Sequence, residues 1–361
     1  MNRKLRVGIL GGTGMVGQRF ISLLEDHPWF EVTTIAASPR SAGKTYEECV
    51  EGRWKMDTPV PEAVKKIVVK NVQDVESVSA EVDFCFSAVD MSKDEIRAIE
   101  EAYAKTETPV VSNNSAHRWT PDVPMIIPEI NPEHAEVIAD QKKRLGTTRG
   151  FIAVKPNCSI QTYTPALAAW KELEPYEVVA TTYQAISGAG KTFKDWPEMN
   201  GNVIPFISGE EEKSEKEPLR IFGHIENGVI VPAESPIITC QCVRIPVLYG
   251  HTAAAFVKFR KKAEKEQLVE LLRNFSGKPQ ELGLPSAPAQ FIQYCEEDNR
   301  PQVTLDVNYE GGMGVSVGRL RPDTVYDWKF IGLAHNTLRG AAGGAVECAE
   351  LLTALGYITA K

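Results

Sequence analysis

Gly8-Ile9-Leu10-Gly11-Gly12-Thr13-Gly14-Met15-Val16-Gly17 is the stretch that decides the fold. The apolar residues ending at Leu10 read as a buried strand. Residues 16–26 read as a helix, with Phe20, Leu23 and Leu24 at helical spacing and His27-Pro28 ending it. Between them, Gly12-x-Gly14-x-x-Gly17 has the spacing of a dinucleotide-binding turn. The glycines allow the tight turn, let the backbone approach a pyrophosphate, and let the helix pack closely on the strand. The free N–H groups at the helix start then face the anion.

Working outward, residues 30–37 read as a second strand, 82–89 as a third, 93–105 as a helix and 109–112 as another strand. Strand and helix alternating in this way predict a parallel sheet with right-handed crossovers. After residue 157 the pattern changes. A helix at 160–172 precedes runs that read as strands at 177–185, 237–247, 252–258, 304–307 and 315–320, with one helix at 264–274 among them. The prediction is an α/β protein. A Rossmann-type parallel-sheet domain (1–157), completed by the C-terminal segment 331–361, joins an α+β catalytic and dimerisation domain (158–330) with a mixed or antiparallel sheet. The small residues after Gly340 allow the last helix a close approach to the first domain.

A dinucleotide enzyme that takes NAD should carry Asp or Glu at the end of its second strand. Here the chain reads Ala36-Ala37-Ser38-Pro39-Arg40-Ser41-Ala42-Gly43-Lys44, with hydroxyls and cations and no carboxylate. That suits a 2′-phosphate, so NADP is expected over NAD.

Bulk properties narrow the function class. The chain has 361 residues, 43% of them hydrophobic, and a formal net charge of -8. Without a basic stripe, nucleic acid is not an expected partner. No apolar run reaches the ~20 residues that span a bilayer. Seven cysteines without a framework point to reduced thiols and a cytoplasmic location. Cys240 and Cys242 are too close in sequence for the usual zinc pair and read as part of a strand, so no metal site is expected.

Cys158, in Lys155-Pro156-Asn157-Cys158-Ser159-Ile160, stands where the pattern switches, ahead of a helix start that should lower its pKa. It is the candidate nucleophile. His251, after Gly250 at a strand junction, is the candidate proton carrier, with a pKa expected near working pH.

Gly11-Gly12-Thr13-Gly14-Met15-Val16-Gly17, Pro156-Asn157-Cys158-Ser159, Gln184-Ala185-Ile186-Ser187-Gly188-Ala189-Gly190 and Arg244-Ile245-Pro246-Val247 with Gly250-His251 occur in the order of a known family. Together they resemble aspartate-semialdehyde dehydrogenase in its archaeal and fungal branch, across residues 5 to 355. The resemblance implies NADPH-dependent reductive dephosphorylation of aspartyl phosphate to aspartate semialdehyde through a thioester on Cys158, for the lysine, methionine and threonine pathways. It implies that Gln184 orients the acyl group, that Arg244 grips the substrate carboxylate as a fork, and that Glu210 binds the amino group. Lys213 and Arg118 would contact phosphate, with Asn157 beside the substrate. Gly12, Thr13, Gly14, Met15, Val16, Ser38, Arg40, Ser41 and Ser87 would contact the cofactor, with Gly188 and Asn336 near its nicotinamide. A homodimer or homotetramer is expected. Malonyl-CoA reductase is the alternative of similar sequence. A glyceraldehyde-3-phosphate-type dehydrogenase and a non-catalytic NADPH sensor fit the motifs less well.

Overall fold

The computed structural model describes residues 3–361. Its strands, in chain order, begin with β1 (Leu5–Leu10), β2 (Phe30–Ala37), β3 (Lys70–Asn71), β4 (Phe84–Ser87), β5 (Val110–Ser112) and β6 (Ile152–Val154). These six form one wholly parallel sheet in the order β3-β2-β1-β4-β5-β6. The order reverses between β1 and β4, which is where an open α/β sheet leaves a crevice at its strand ends. The helix Met15–Leu24 follows β1 directly and buries Phe20, Ile21 and Leu24, with Phe20 stacked on Phe86 of β4 at 4.5 Å between ring centroids. The helix Lys93–Lys105 starts at a capping box, Ser92 with Glu95, that satisfies its first free N–H groups.

The remaining strands are β7 (Pro175–Gln184), the short hairpin β8 (His224–Glu226) and β9 (Val229–Val231), then β10 (Ile237–Arg244), β11 (His251–Phe259), β12 (Ile292–Cys295), β13 (Val315–Pro322) and β14 (Trp328–Ala334). Six of them make a mixed sheet, β10-β7-β11-β14-β13-β12, with β7, β11, β14 and β13 antiparallel in turn and a parallel pair at each edge. The fold is therefore α/β with a second, mixed-sheet unit. Burial alternates along β7 and β11, so one face of this sheet lies under helices while Thr181, Tyr183, Thr252 and Ala254 stay half-exposed on the other.

Three local expectations change. Residues 304–307 form a helical turn, Val303–Asp306, in place of a strand; the Asp306 carboxylate accepts from the Gln302 N–H at 2.7 Å and pairs with Arg300, which closes the turn. The helix expected at 160–172 is broken into the 3-10 turn Ser159–Thr162, the α-helix Thr164–Ala169 and the 3-10 turn Lys171–Leu173. Pro165, which has no N–H to bond backward, sits in the first turn of the middle piece. Residues 331–334 belong to β14 in the second sheet, because Ile331-Gly332-Leu333-Ala334 pair with both β11 and β13. The helix Ala342–Ala354 returns to the first unit, where it packs on Met15–Leu24, and the residues after it stay there, with the Lys361 N–H on Asp83 at 2.8 Å.

That return is held by a buried charge cluster. The Arg339 guanidinium donates to both Glu129 oxygens, at 2.7 and 2.9 Å, and to Glu347 at 2.6 Å. Breaking such a buried pair from one side costs about 3–5 kcal/mol, because it strands the other charge.

Candidate active site

The glycine turn has no room for side chains at three of its positions. A Cβ on Gly11, whose φ is +83°, would lie 2.3 Å from the Ala88 carbonyl oxygen; one on Gly12 would strike Ile35, and one on Gly17 the Gly11 carbonyl. Gly14 is exposed and caps the helix Met15–Leu24 without any side-chain bond, so the first N–H groups of that helix are available. A cleft of about 580 Å³ opens there, lined by Thr13, Gly14, Ser38 and Arg40 from the predicted set. These features fit a dinucleotide phosphate.

Not every predicted cofactor contact lines this cleft. Met15 and Val16 begin the helix behind it and are half-buried. Ser41 is buried just outside, where its carbonyl accepts from the Cys49 thiol, and Lys44 is exposed. Ser87 is fully buried, and its hydroxyl accepts from Asn114 Nδ2 at 3.2 Å; the next residues, Ala88 and Val89, form the wall instead. Arg53, which drew no attention in the sequence, lines the cleft together with Arg40, and among the described residues neither is in an ion pair. Its signal was absent because it lies in an irregular segment far from the β2 end. Asp90 is the carboxylate in the lining.

Cys158 and His251 meet across the second unit. Cys158 caps the turn Ser159–Thr162, and His251 is the first residue of β11. Sγ and Nε2 are 3.3 Å apart. The other ring nitrogen, Nδ1, accepts the Ala185 N–H at 3.0 Å. Two expectations about ionisation fail here. Burial pushes the Cys158 thiol up and Glu210 adds to the rise, while Lys155, Arg118 and Arg244 pull it back. A four-residue 3-10 turn has too small a dipole to outweigh burial. Burial, with Arg244 beside it, pushes His251 down to about 3, well below working pH.

The helix Glu210–Ile221 supplies the acidic wall. Glu210, Ser214 and Glu217 are buried at helical spacing and face the Cys158 loop. Glu210 accepts from Lys213 Nζ at 2.8 Å, from Asn157 Nδ2 at 3.0 and 3.1 Å, and from Gln184 Nε2 at 3.2 Å. Burial opposes its charge, but Lys213, Asn157 and Gln184 hold its carboxyl below the usual range. Glu217 was missed in the sequence. It accepts from the Asn157 backbone N–H at 2.6 Å and from Arg118 Nη1 at 3.0 Å. The three-and-four spacing of Glu210, Ser214 and Glu217 was the available signal.

Arg118 is buried with its side chain committed to Glu217 and to the carbonyls of Lys155 and Asn113. Arg244, at the end of β10, donates Nη1 to the Ala185 carbonyl at 2.7 Å, and among the described residues it has no carboxylate partner. Gly188 lies against this pair: a Cβ there would sit 3.0 Å from Arg244 Nη1 and 3.1 Å from His251 Cε1. Asn336 accepts the Gly250 N–H at 2.9 Å and donates to Ser187 at 2.8 Å, so it fixes the turn that carries His251 and keeps a second amide N–H for a ligand. The site thus brings a thiol, an imidazole, an uncommitted guanidinium and a carboxylate–ammonium pair into one buried group.

Residues 6–138 match the family of semialdehyde dehydrogenase NAD-binding domains, and residues 166–339 match that family's dimerisation domain. An aspartate-semialdehyde dehydrogenase of Methanothermobacter thermautotrophicus is 42% identical over 96% of this chain and 99% of its own. The chain belongs to the aspartate-semialdehyde dehydrogenase family. Another member, from Aspergillus fumigatus, is 38% identical over 98% of this chain and 99% of its own. The crystal structure of the Candida albicans aspartate-semialdehyde dehydrogenase with NADP superposes with a TM-score of 0.88, at 36% identity, over 99% of this chain and 100% of the other. The expected fold class and family resemblance are both found.

Proposed function

We propose that the protein reduces aspartyl phosphate to aspartate semialdehyde, releasing phosphate, with NADPH as the reductant. The reading is carried by the meeting of Cys158 Sγ and His251 Nε2 at 3.3 Å beside an Arg244 that has no carboxylate of its own. The relatives named above and the NADP-bound Candida albicans enzyme support it.

In this account Arg244 takes the substrate carboxylate, since its planar fork matches two oxygens at once. Glu210 takes the amino group, which also makes a CoA thioester lacking that group a poorer occupant. Lys213 and Arg118 face the phosphate side, with Arg118 acting from within its pair with Glu217. Asn157 and Gln184 hold Glu210 and border the acyl group. Cys158 forms a thioester as phosphate leaves. Bound NADPH supplies the hydride that reduces the acyl carbon. Ser38, Arg40 and Arg53 would hold its 2′-phosphate, Thr13 and Gly14 its pyrophosphate, and Gly188 its nicotinamide end.

The division of labour follows the sheets, with residues 1–157 and the last helix holding cofactor and the remainder holding the nucleophile. The half-exposed face of the second sheet supports a homodimer, and pairing of dimers would give a tetramer. Among the described residues no helix is long and apolar enough to cross a membrane. The biosynthetic activity proposed, supply of aspartate-derived amino acids, is what leads us to place the protein in the cytoplasm. The test is an assay with aspartate semialdehyde, NADP and inorganic phosphate. A rise in nicotinamide absorbance that requires phosphate is expected. No rise, or one equally strong with malonate semialdehyde and CoA in place of aspartate semialdehyde and phosphate, overturns the reading.

A further inference from the structure

Glu210, the carboxylate assigned above to the substrate amino group, belongs to a closed ring of hydrogen-bonded side chains. Asn157 Nδ2 and Gln184 Nε2 both donate to it. Asn157 Oδ1 accepts the Ser159 hydroxyl at 2.6 Å and the Ser159 N–H at 2.7 Å. Ser159 Oγ lies 3.0 Å from Ser214 Oγ, which lies 3.6 Å from Cys242 Sγ. Thr182 Oγ1 closes the ring, 3.1 Å from Cys242 Sγ and 3.2 Å from Gln184 Nε2. None of these residues is more than 9% exposed. The register of the second sheet makes the ring possible, since β10 sets Cys242 beside Thr182 and Arg244 beside Gln184 of β7. Ser214 reaches in from the helix Glu210–Ile221, one turn beyond Glu210.

Matching donors to acceptors gives the ring one direction. An ionised carboxylate only accepts, so both amides turn their nitrogens to Glu210. Gln184 Nε2 then has one N–H for Glu210 and one for Thr182. Thr182, having accepted, turns its own hydrogen to Cys242. At the other end, Asn157 Oδ1 takes the Ser159 hydroxyl hydrogen, so Ser214 must donate to Ser159. Ser214 is left with a lone pair for Cys242, and the thiol S–H fills it. Cys240 does not compete, because its own thiol has the Gln241 carbonyl at 3.6 Å, nearer than Cys242 Sγ at 4.0 Å. Both ends of the chain demand the same sense.

We propose that Thr182, Cys242, Ser214 and Ser159 are positioning residues for recognition of the amino group: their one-way chain aims the Asn157 and Gln184 amides so that both present N–H to Glu210 and hold its carboxylate toward the substrate ammonium. The inference deepens the reading of Glu210 as the amino-group partner and rests on it. A buried donor that loses its acceptor is costly. An amide orphaned in this way rotates to recover a partner, and Glu210, which both amides hold, moves with it. The carboxylate is then out of place for an ammonium, while Arg244, outside the ring, still meets the substrate carboxylate. The chain therefore acts on one part of the substrate and not on the whole.

The test compares two aldehydes on the full-length enzyme: aspartate semialdehyde, and succinate semialdehyde, which is the same chain without the amino group. Each is oxidised with NADP and inorganic phosphate, and the readout is the ratio of their kcat/KM values. The native enzyme should favour the amino substrate. Thr182→Val, which keeps the shape of the side chain, and Ser214→Ala should each lower the ratio at least about fivefold, through KM for aspartate semialdehyde. Loosening of a merely structural kind slows both aldehydes alike and leaves the ratio unmoved. Cys242→Ala should lower the ratio too, and Cys242→Ser, whose hydroxyl both accepts and donates, should recover most of what alanine loses. Cys240→Ala, outside the ring, should keep the native ratio. A native ratio in folded Thr182→Val and Ser214→Ala, or no recovery in Cys242→Ser, overturns the proposal. If Thr182→Val and Ser214→Ala both fail to fold, the infrared S–H stretch of Cys242, identified by its loss in Cys242→Ser, decides: a band shifted as in a hydrogen-bond donor upholds the chain, and a free-thiol band or none overturns it. A native enzyme inactive on aspartate semialdehyde would strike the function itself, whereas unchanged ratios in active variants strike only the ring.

Discussion

Arg244 has one nitrogen on the Ala185 carbonyl and the rest of its fork unclaimed, in a site where it is 6% exposed. A substrate carboxylate there forms charge-assisted bonds worth about 1.5–3 kcal/mol. Arg244→Lys keeps the charge and loses the fork, so KM for aspartate semialdehyde should rise about 10- to 150-fold. Unchanged constants for that substrate would detach Arg244 from the carboxylate. Arg40 lines the cofactor cleft without an acid partner. Arg40→Asp sets a negative charge against a 2′-phosphate, and the ratio of NADP to NAD turnover should fall at least about tenfold. An unaltered ratio would mean that the guanidinium faces solvent. At this scale, much of the site was legible in the chain. Cys158, His251, Gln184 and Arg244 come together as the motifs imply. The ionisation states were not legible, because burial depends on which distant segments close over a residue. Cys158 and His251 lie 93 positions apart, and their pKa values are set by neighbours that no spacing rule brings near.

Among the elements, the helix Glu210–Ile221 has a second task besides lining the site. Glu215 accepts the Cys240 N–H at 3.0 Å and Glu211 the Cys242 N–H at 3.4 Å. β10 is an edge strand, and residues four apart on the helix match N–H groups two apart on the strand. The carboxylates therefore occupy the open edge and pin the wall that carries Glu210. Replacing both with alanine should cost about 1–3 kcal/mol and raise KM, because Glu210 loses its register. Equilibrium urea unfolding and steady-state kinetics check this; stability and KM both at native values would show the edge bonds to be idle. The acidic run 210–217 is as readily read as a solvated surface, and only the β10 edge beside it gives alternate carboxylates a purpose. The β-run 304–307 failed for a related reason. Its residues suit a strand, but the Asp306 carboxylate closes the backbone into a turn through Gln302, a capping effect that outweighs propensity. The first sheet was legible because β1, β2 and the helix Lys93–Lys105 are set by periodicity and local caps. Short strands such as β12 and long-range ones such as β14 need partners that the chain does not announce.

Across the whole molecule, buried histidines couple stability to acid. Burial lowers His251 to about 3 and His335 to about 4, from an ordinary value of 6.5, and it also lowers His117 and His134. A depressed folded value means that the unfolded chain binds protons that the folded protein refuses. The contribution to stability is therefore complete above 6.5 and is lost as pH falls through the folded values. The urea midpoint should drop steadily as pH falls from 6.5 toward about 4, and a flat midpoint across that interval would contradict the burial of these rings. The same closure joins the two units. Arg339, Glu129 and Glu347 lock the segment that returns from β14 to the first sheet, and that segment lies directly on Cys158 at Gly340.

The most direct measurement asks whether Cys158 carries the acyl group. Enzyme mixed with aspartyl phosphate in the absence of NADPH is quenched in acid and digested, and its peptides are weighed. The account predicts an aspartyl adduct on the peptide containing Cys158, lost when NADPH is added before the quench and absent from Cys158→Ser. An adduct on any other residue, or turnover by the serine variant at the native rate, would contradict it.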